Sequence, residues 1–120
     1  MNWKTYLKTL SILAALSGFG CASVPRPTEE LGQSESALKN AQEAGAAQVP
    51  QAALEMTLAQ EELDKAREQI KNDQNDEAQQ NLCRSRADAE LAMALTRQGI
   101  ANTNASGAQE QLKAAEKSAQ

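Results

Sequence analysis

The chain has 120 residues, 12 of them basic and 16 acidic, and it contains no histidine. Its three aromatic residues, Trp3, Tyr6 and Phe19, all lie near the start, so the rest of the chain has no ring on which a base could stack. An acidic chain of this composition is excluded as a nucleic-acid binder, because phosphate neutralisation and stacking are both missing.

The predicted elements begin with residues 1–20. Lys4 and Lys8 precede an apolar, small-residue stretch over residues 10–20, which ends at Cys21 and is followed by Ala22, Ser23, Val24, Pro25, Arg26 and Pro27. That order is a secretory signal peptide ending at a cysteine. Its apolar run is roughly a dozen residues, against the ~20 that a spanning helix needs, so a permanent transmembrane anchor is not expected. The segment resembles the signals of bacterial lipoproteins. In that class the cysteine becomes the mature N-terminus and carries acyl chains, palmitate among them. Gly20 fits the pattern, whereas Gly18 and Phe19 depart from it and Leu16 stands two positions early. Gly18 and Gly20 also suit ordinary signal cleavage, which would leave a secreted, non-lipidated periplasmic protein. The resemblance implies lipidation at Cys21. Ala22, not being an aspartate, implies sorting to the outer membrane, facing the periplasm. Without Lys4 and Lys8 the mature chain has 10 basic against 16 acidic residues, a net charge of −6. Charge therefore gives it no hold on anionic lipid, and membrane attachment falls to the acyl chains.

Residues 21–27 read as a flexible lipidated tether. Thr28 is a suitable N-cap for a first helix, with Glu29 and Glu30 in the first turn where the helix dipole favours acids. Its predicted seam is Leu31, Ser34, Leu38, Ala41 and Gly45. The break falls between Gly45 and Pro50, because Val49 is pushed out of helical geometry by the proline after it. Pro50 suits the first turn of a second helix. The seam there is the most regular in the chain: Ala52, Met56, Ala59, Leu63, Ala66 and Ile70, with Leu54 and Leu58 widening it on one side. Glu61 and Lys65 are a helpful pair at helical spacing, and Asp64 and Glu68 a repulsive one.

Residues 71–76 supply a turn in which Asn72 or Asn75 is suited to the cap. A third helix begins near Asn75 with the seam Ala78, Leu82, Ser85, Ala89 and Ala92, flanked by Leu91 and Leu95. Small residues facing the bulkier seam of the second helix predict a close antiparallel hairpin. Gly99 and the run from Asn102 to Gly107 are poor helix interior. The helical domain is therefore placed at residues 28–101, and residues 102–120 are read as a helix-prone polar tail, frayed or solvent-exposed. The predicted class is all-α, a helical hairpin plus an N-terminal helix.

The stretch Leu58-Ala59-Gln60-Glu61-Glu62-Leu63-Asp64-Lys65-Ala66-Arg67, the acid-rich turn, Glu77-Ala78, and Ala87-Asp88-Ala89-Glu90-Leu91-Ala92 resemble domain-of-unknown-function family 4398, as does the start at Cys21-Ala22-Ser23. This is a set of small, Ala-rich bacterial envelope lipoproteins. The resemblance covers residues 21–95 and implies a helical hairpin related in shape to a tetratricopeptide unit, with no known biochemical activity. Some members carry a further peptidoglycan-binding domain, which this sequence is expected to lack.

Catalysis is not expected: there is no histidine, and the carboxylates read as lying on solvated faces without apolar neighbours to raise their pKa. No metal or cofactor is expected either. Asp73, Asp76 and Glu77 lack the glycine and the bidentate glutamate of a calcium loop and read as a capped turn. Cys83 is either a free thiol available for an intermolecular disulfide or a small apolar residue buried beside Leu82, and burial is the reading favoured. Arg84 and Arg86 flank Ser85 on different sides of the helix and read as solvated charges. Asn104-Ala105-Ser106 forms a glycosylation sequon only by chance. The aliphatic inventory is small, so a marginal monomer that gains from a protein partner or self-association is expected. The expected function is a lipid-anchored structural or protein-interaction module. The alternative is a module binding peptidoglycan or a small ligand in the groove between the first helix and the hairpin. Mass spectrometry of the mature N-terminus should show an acylated Cys21; an unmodified N-terminus at or after this residue would contradict lipidation.

Overall fold

The computed structural model describes residues 23–119, and residues 1–20, read above as a signal peptide, and Cys21 lie outside them. Three helices follow in order: α1 over Thr28–Glu43, α2 over Pro50–Lys71 and α3 over Asn75–Ser118, with a short 3-10 turn at Ala46–Gln48. The described residues form no strand. α2 and α3 form the antiparallel hairpin and make the most extensive contact; α1 packs mainly on α3 and less on α2.

α1 starts one residue earlier than expected. Thr28 is the first helical residue and Pro27 takes the cap position, with no capping side chain. The turn is set by the backbone: the Thr28 N–H donates to the Arg26 carbonyl at 2.9 Å and the Leu31 N–H to the Pro27 carbonyl at 3.1 Å. The helix stops where Gly45 adopts φ 88°, a conformation open to glycine at little cost. Val49 is extended, as the residue before a proline must be, and Pro50 opens α2.

The α1 seam is shifted from its expected course. Ser34, Ala37 and Ala41 are buried, while Leu31 and Leu38 are only half-buried at the edge of the Leu63 and Leu82 cluster. The reason is the closeness of the helices. Ser34 Oγ donates to the Leu82 carbonyl at 2.7 Å, which leaves room only for small side chains along the centre line. On α2 the expected seam is buried at Ala52, Ala59, Leu63, Ala66 and Ile70, with Met56 packed beside it. Leu54 and Leu58 do not widen it; they are 59% and 40% exposed, since α1 lies across the other flank of the hairpin.

At the hairpin turn Asn72 is the C-cap of α2, as expected, and the left-handed position follows it. Asp73 takes that position, at φ 57°. The Gln74 N–H reaches back to the Gln69 carbonyl at 2.9 Å, the long bond of a Schellman closure. Asp64 pairs with Arg67 and Glu68 with Lys71, so each carboxylate of the expected repulsive pair has its own cation.

All five expected seam residues of α3 are buried, and Asn81 and Thr96 join them. Ser85 Oγ donates to the Ala59 carbonyl at 2.8 Å, repeating across the hairpin the contact that Ser34 makes from α1. Leu91 is 45% exposed and Leu95 half-buried. The expected interruption near Gly99 is absent: α3 runs unbroken for 44 residues. Gly99 is there because Val49 is close. A Cβ at position 99 would stand 3.2 Å from a Val49 methyl carbon, whereas one at Gly107 would meet nothing within 4 Å. Beyond Ile100 every described residue except Gly107 is exposed, so this part of α3 projects past the bundle as a free helix.

The two glycines should therefore respond differently to alanine. Gly107→Ala should strengthen the projecting helix by about 0.5–1 kcal/mol, read as slower amide hydrogen exchange over residues 102–115. Gly99→Ala forfeits much of that gain by pushing on Val49. A rise in urea midpoint for Gly99→Ala equal to or above that of Gly107→Ala would show that Val49 does not pack there.

Candidate functional site

Three features of the surface carry chemistry: the tether, a carboxylate pair and two grooves. The tether is pinned at the α2–α3 turn. Asn75, expected as a possible cap, instead donates from Nδ2 to the Val24 carbonyl at 2.9 Å, and Pro27 is buried. Asn75 Oδ1 is buried without a partner among the described residues. Cys21, the expected lipidation residue, lies two residues before Ser23 and outside the described residues.

The carboxylate pair spans the hairpin on the face away from α1. Glu62 of α2 stands beside Asp88 of α3, and Glu62 Oε2 is buried without a hydrogen-bond partner. Burial raises the Glu62 pKa from its ordinary 4.5, and the neighbouring Asp88 carboxylate raises it further; Arg84 and Lys65 pull it back. The expectation that all the carboxylates are solvated and unshifted is corrected at this one position. The signal was available only in three dimensions, because Glu62 and Asp88 meet through the register of the hairpin. Arg84 is exposed and makes no ion pair among the described residues, in keeping with a solvated charge, and its charge lowers the Glu62 pKa.

The groove between α1 and α2 has a volume of about 460 Å³ and is lined by Leu38, Ala53 and Met56 with polar Gln42, Thr57 and Gln60. Asp64, which also lines it, accepts from Arg67 at 2.9 Å, and Arg67 donates to Glu35 of α1 at 2.8 Å. The groove between α1 and α3, of about 680 Å³, has Gly32, Ser36 and Ala37 on one side and Arg86, Glu90 and Met93 on the other. Arg86 is held there by Gln33 at 2.6 Å and Glu90 at 3.7 Å, so its charge is engaged within the chain.

Cys83 is not buried beside Leu82. Its thiol is free and exposed, because one step along the helix from Leu82 turns the side chain about 100° away from the seam. Asp73, Asp76 and Glu77 line the cavity under the tether, and among the described residues no three potential metal ligands come together. No described helix is long and apolar enough to cross a membrane.

Residues 29–108 match a family described as a domain of unknown function, DUF4398. The chain belongs to this family. The match runs from the first turn of α1 through Gly107, so the matched region includes part of the projecting segment of α3 as well as the packed bundle. Neither the curated proteins nor the solved structures hold a match to the chain.

The carboxylate pair yields a prediction with a definite sign. A carboxyl whose folded pKa is raised favours the folded state below its unfolded pKa and loses that contribution as pH rises through the folded value. Glu62→Gln should therefore stabilise the protein at pH 7, by up to about 1 kcal/mol for a partly exposed pair. The difference from wild type should vanish below pH 4.5, the ordinary value for this group. Urea unfolding across that range tests it; an equal difference at both ends would mean that Glu62 carries no shifted proton.

Proposed function

We propose that the chain is a lipid-anchored module of the bacterial envelope, held at Cys21 on the periplasmic face of the outer membrane, which presents a helical surface to a protein partner and performs no catalysis. The observation that carries this reading is the projecting part of α3. Past Asn104 the helix lies beyond the cavity it shares with Val49 and Pro50 and is polar on most sides, so burial within the chain does little to offset the entropy of ordering it, and a partner laid against it would supply that burial. Leu112, on this segment, is 61% exposed, and Ile100 at its base is 50% exposed. The partner is a second copy of the chain or another envelope protein; both bury the same side chains.

A second reading, a module for peptidoglycan fragments or another small ligand, is supported by the α1–α3 groove, where Gly32 and Ala37 leave space beside Asn40 and Arg86. The engagement of Arg86 by Gln33 and Glu90 weakens it for an anionic ligand.

The two readings separate in cells. A photo-cross-linking residue at Leu112 should give a discrete protein adduct, at least about tenfold stronger than the same residue at Glu68 on the hairpin, and Leu112→Glu should abolish function without unfolding the bundle. Mass spectrometry of the adduct tells a second copy from a different protein. No adduct at position 112, together with fragment-induced NMR shifts at Gly32 and Arg86, would overturn the first reading in favour of the second.

A further inference from the structure

The tether fixes where a lipid on Cys21 leaves the molecule. The Val24 carbonyl is held by Asn75 at 2.9 Å and Pro27 is buried. Ser23, Val24, Pro25 and Arg26 form one wall of a cavity of about 530 Å³ whose other wall is the turn from Asp73 to Glu77. Two residues of chain reach at most ~7 Å, so a lipid carried two positions before Ser23 would be delivered at this turn. α3 begins at the same turn, and its 44 residues rise about 66 Å to the far end.

We infer that the α2–α3 turn is the membrane-facing end of the protein and that α3 stands away from the lipid surface, its free segment after Ile100 being the part farthest from it. The inference rests on the reading of Cys21 as lipidated. Standing is favoured over lying flat by the charges. A helix that lies in a lipid surface needs a broad apolar face bordered by Lys and Arg. The free segment has one large apolar residue, Leu112, and balances Lys113 and Lys117 with Glu110 and Glu116. In the bundle, Arg67 and Arg86 are already engaged by Glu35, Asp64 and Glu90. The mature net charge of −6 repels an anionic headgroup layer. The acyl chains are left as the one strong attachment, and they act at the turn.

The absence of aromatic residues after Phe19 supplies the test, because a single introduced tryptophan is then the only one in the mature protein. Full-length protein carrying Asp76→Trp or Lys117→Trp would be isolated from membranes and placed in vesicles of phosphatidylethanolamine and phosphatidylglycerol with dansyl-labelled headgroups. Energy transfer from position 76 should exceed that from position 117 at least fivefold. Equal transfer from both positions, or stronger transfer from 117, overturns the inference. Flotation of the vesicles reports separately on the anchor. If the protein does not float, Cys21 carries no lipid; a maleimide-lipid is then coupled to Cys21 in a Cys83→Ser background, and the same two tryptophans give the orientation by the same criterion.

Discussion

The structure depends on how closely its helices approach. Ser34 and Ser85 each donate a hydroxyl hydrogen to a main-chain carbonyl of the neighbouring helix, at 2.7 and 2.8 Å. Those carbonyls already accept the bonds of their own helix, and a second lone pair is what the serines use. Such contacts form only when the facing positions are alanine or serine, as at Ala37, Ala41, Ala59, Ala66, Ala89 and Ala92. A mature chain without aromatic residues thus holds its helices together by proximity. Many short contacts between backbones replace the few large side chains that fill most cores. The larger buried aliphatics, Leu63, Ile70 and Leu82, are gathered in one cluster toward the hairpin turn.

Much of this was legible in the sequence. The α2 seam and the α3 seam are periodic, and periodicity survives into the structure because both helices are buried along a single line. Val49 and Pro50 marked the break because proline restricts its predecessor wherever it stands. The α1 seam was displaced because hydrophobicity ranked Leu31 and Leu38 above Ala37, while the close approach selected for size. Asn72 caps α2 as its residue type suggested, whereas Thr28 lost the N-cap to Pro27, a choice among neighbours of similar local preference. The break expected at Gly99 failed because helix propensity counts only the residue itself, and the reason for this glycine is Val49, fifty residues earlier. The pairing of Glu62 with Asp88 and the pinning of Val24 by Asn75 are likewise products of register.

The same hairpin that buries its alanines carries a cost at Glu62. A carboxylate there loses water and faces a like charge, with Arg84 and Lys65 near enough to moderate both. The chain tolerates this on the flank away from α1, where the pair remains within reach of solvent. The bundle is thus two-sided: α1 and its ion pairs cover one flank of the hairpin, and Glu62, Asp88, Leu58 and Leu91 are left on the other.

The unbroken course of α3 gives its free end a fixed angular phase. Each residue turns the helix by about 100°, so the direction in which Leu112 points is set by the burial of Thr96 and Ala92, through an uninterrupted count of residues. Inserting one residue after Ile100 would swing the distal face by more than a quarter turn while lengthening the rod by only about 1.5 Å. Inserting seven would return it close to its first heading, about 10 Å farther out. Length and heading are therefore coupled in this protein, and a partner that reads the far end reads both at once.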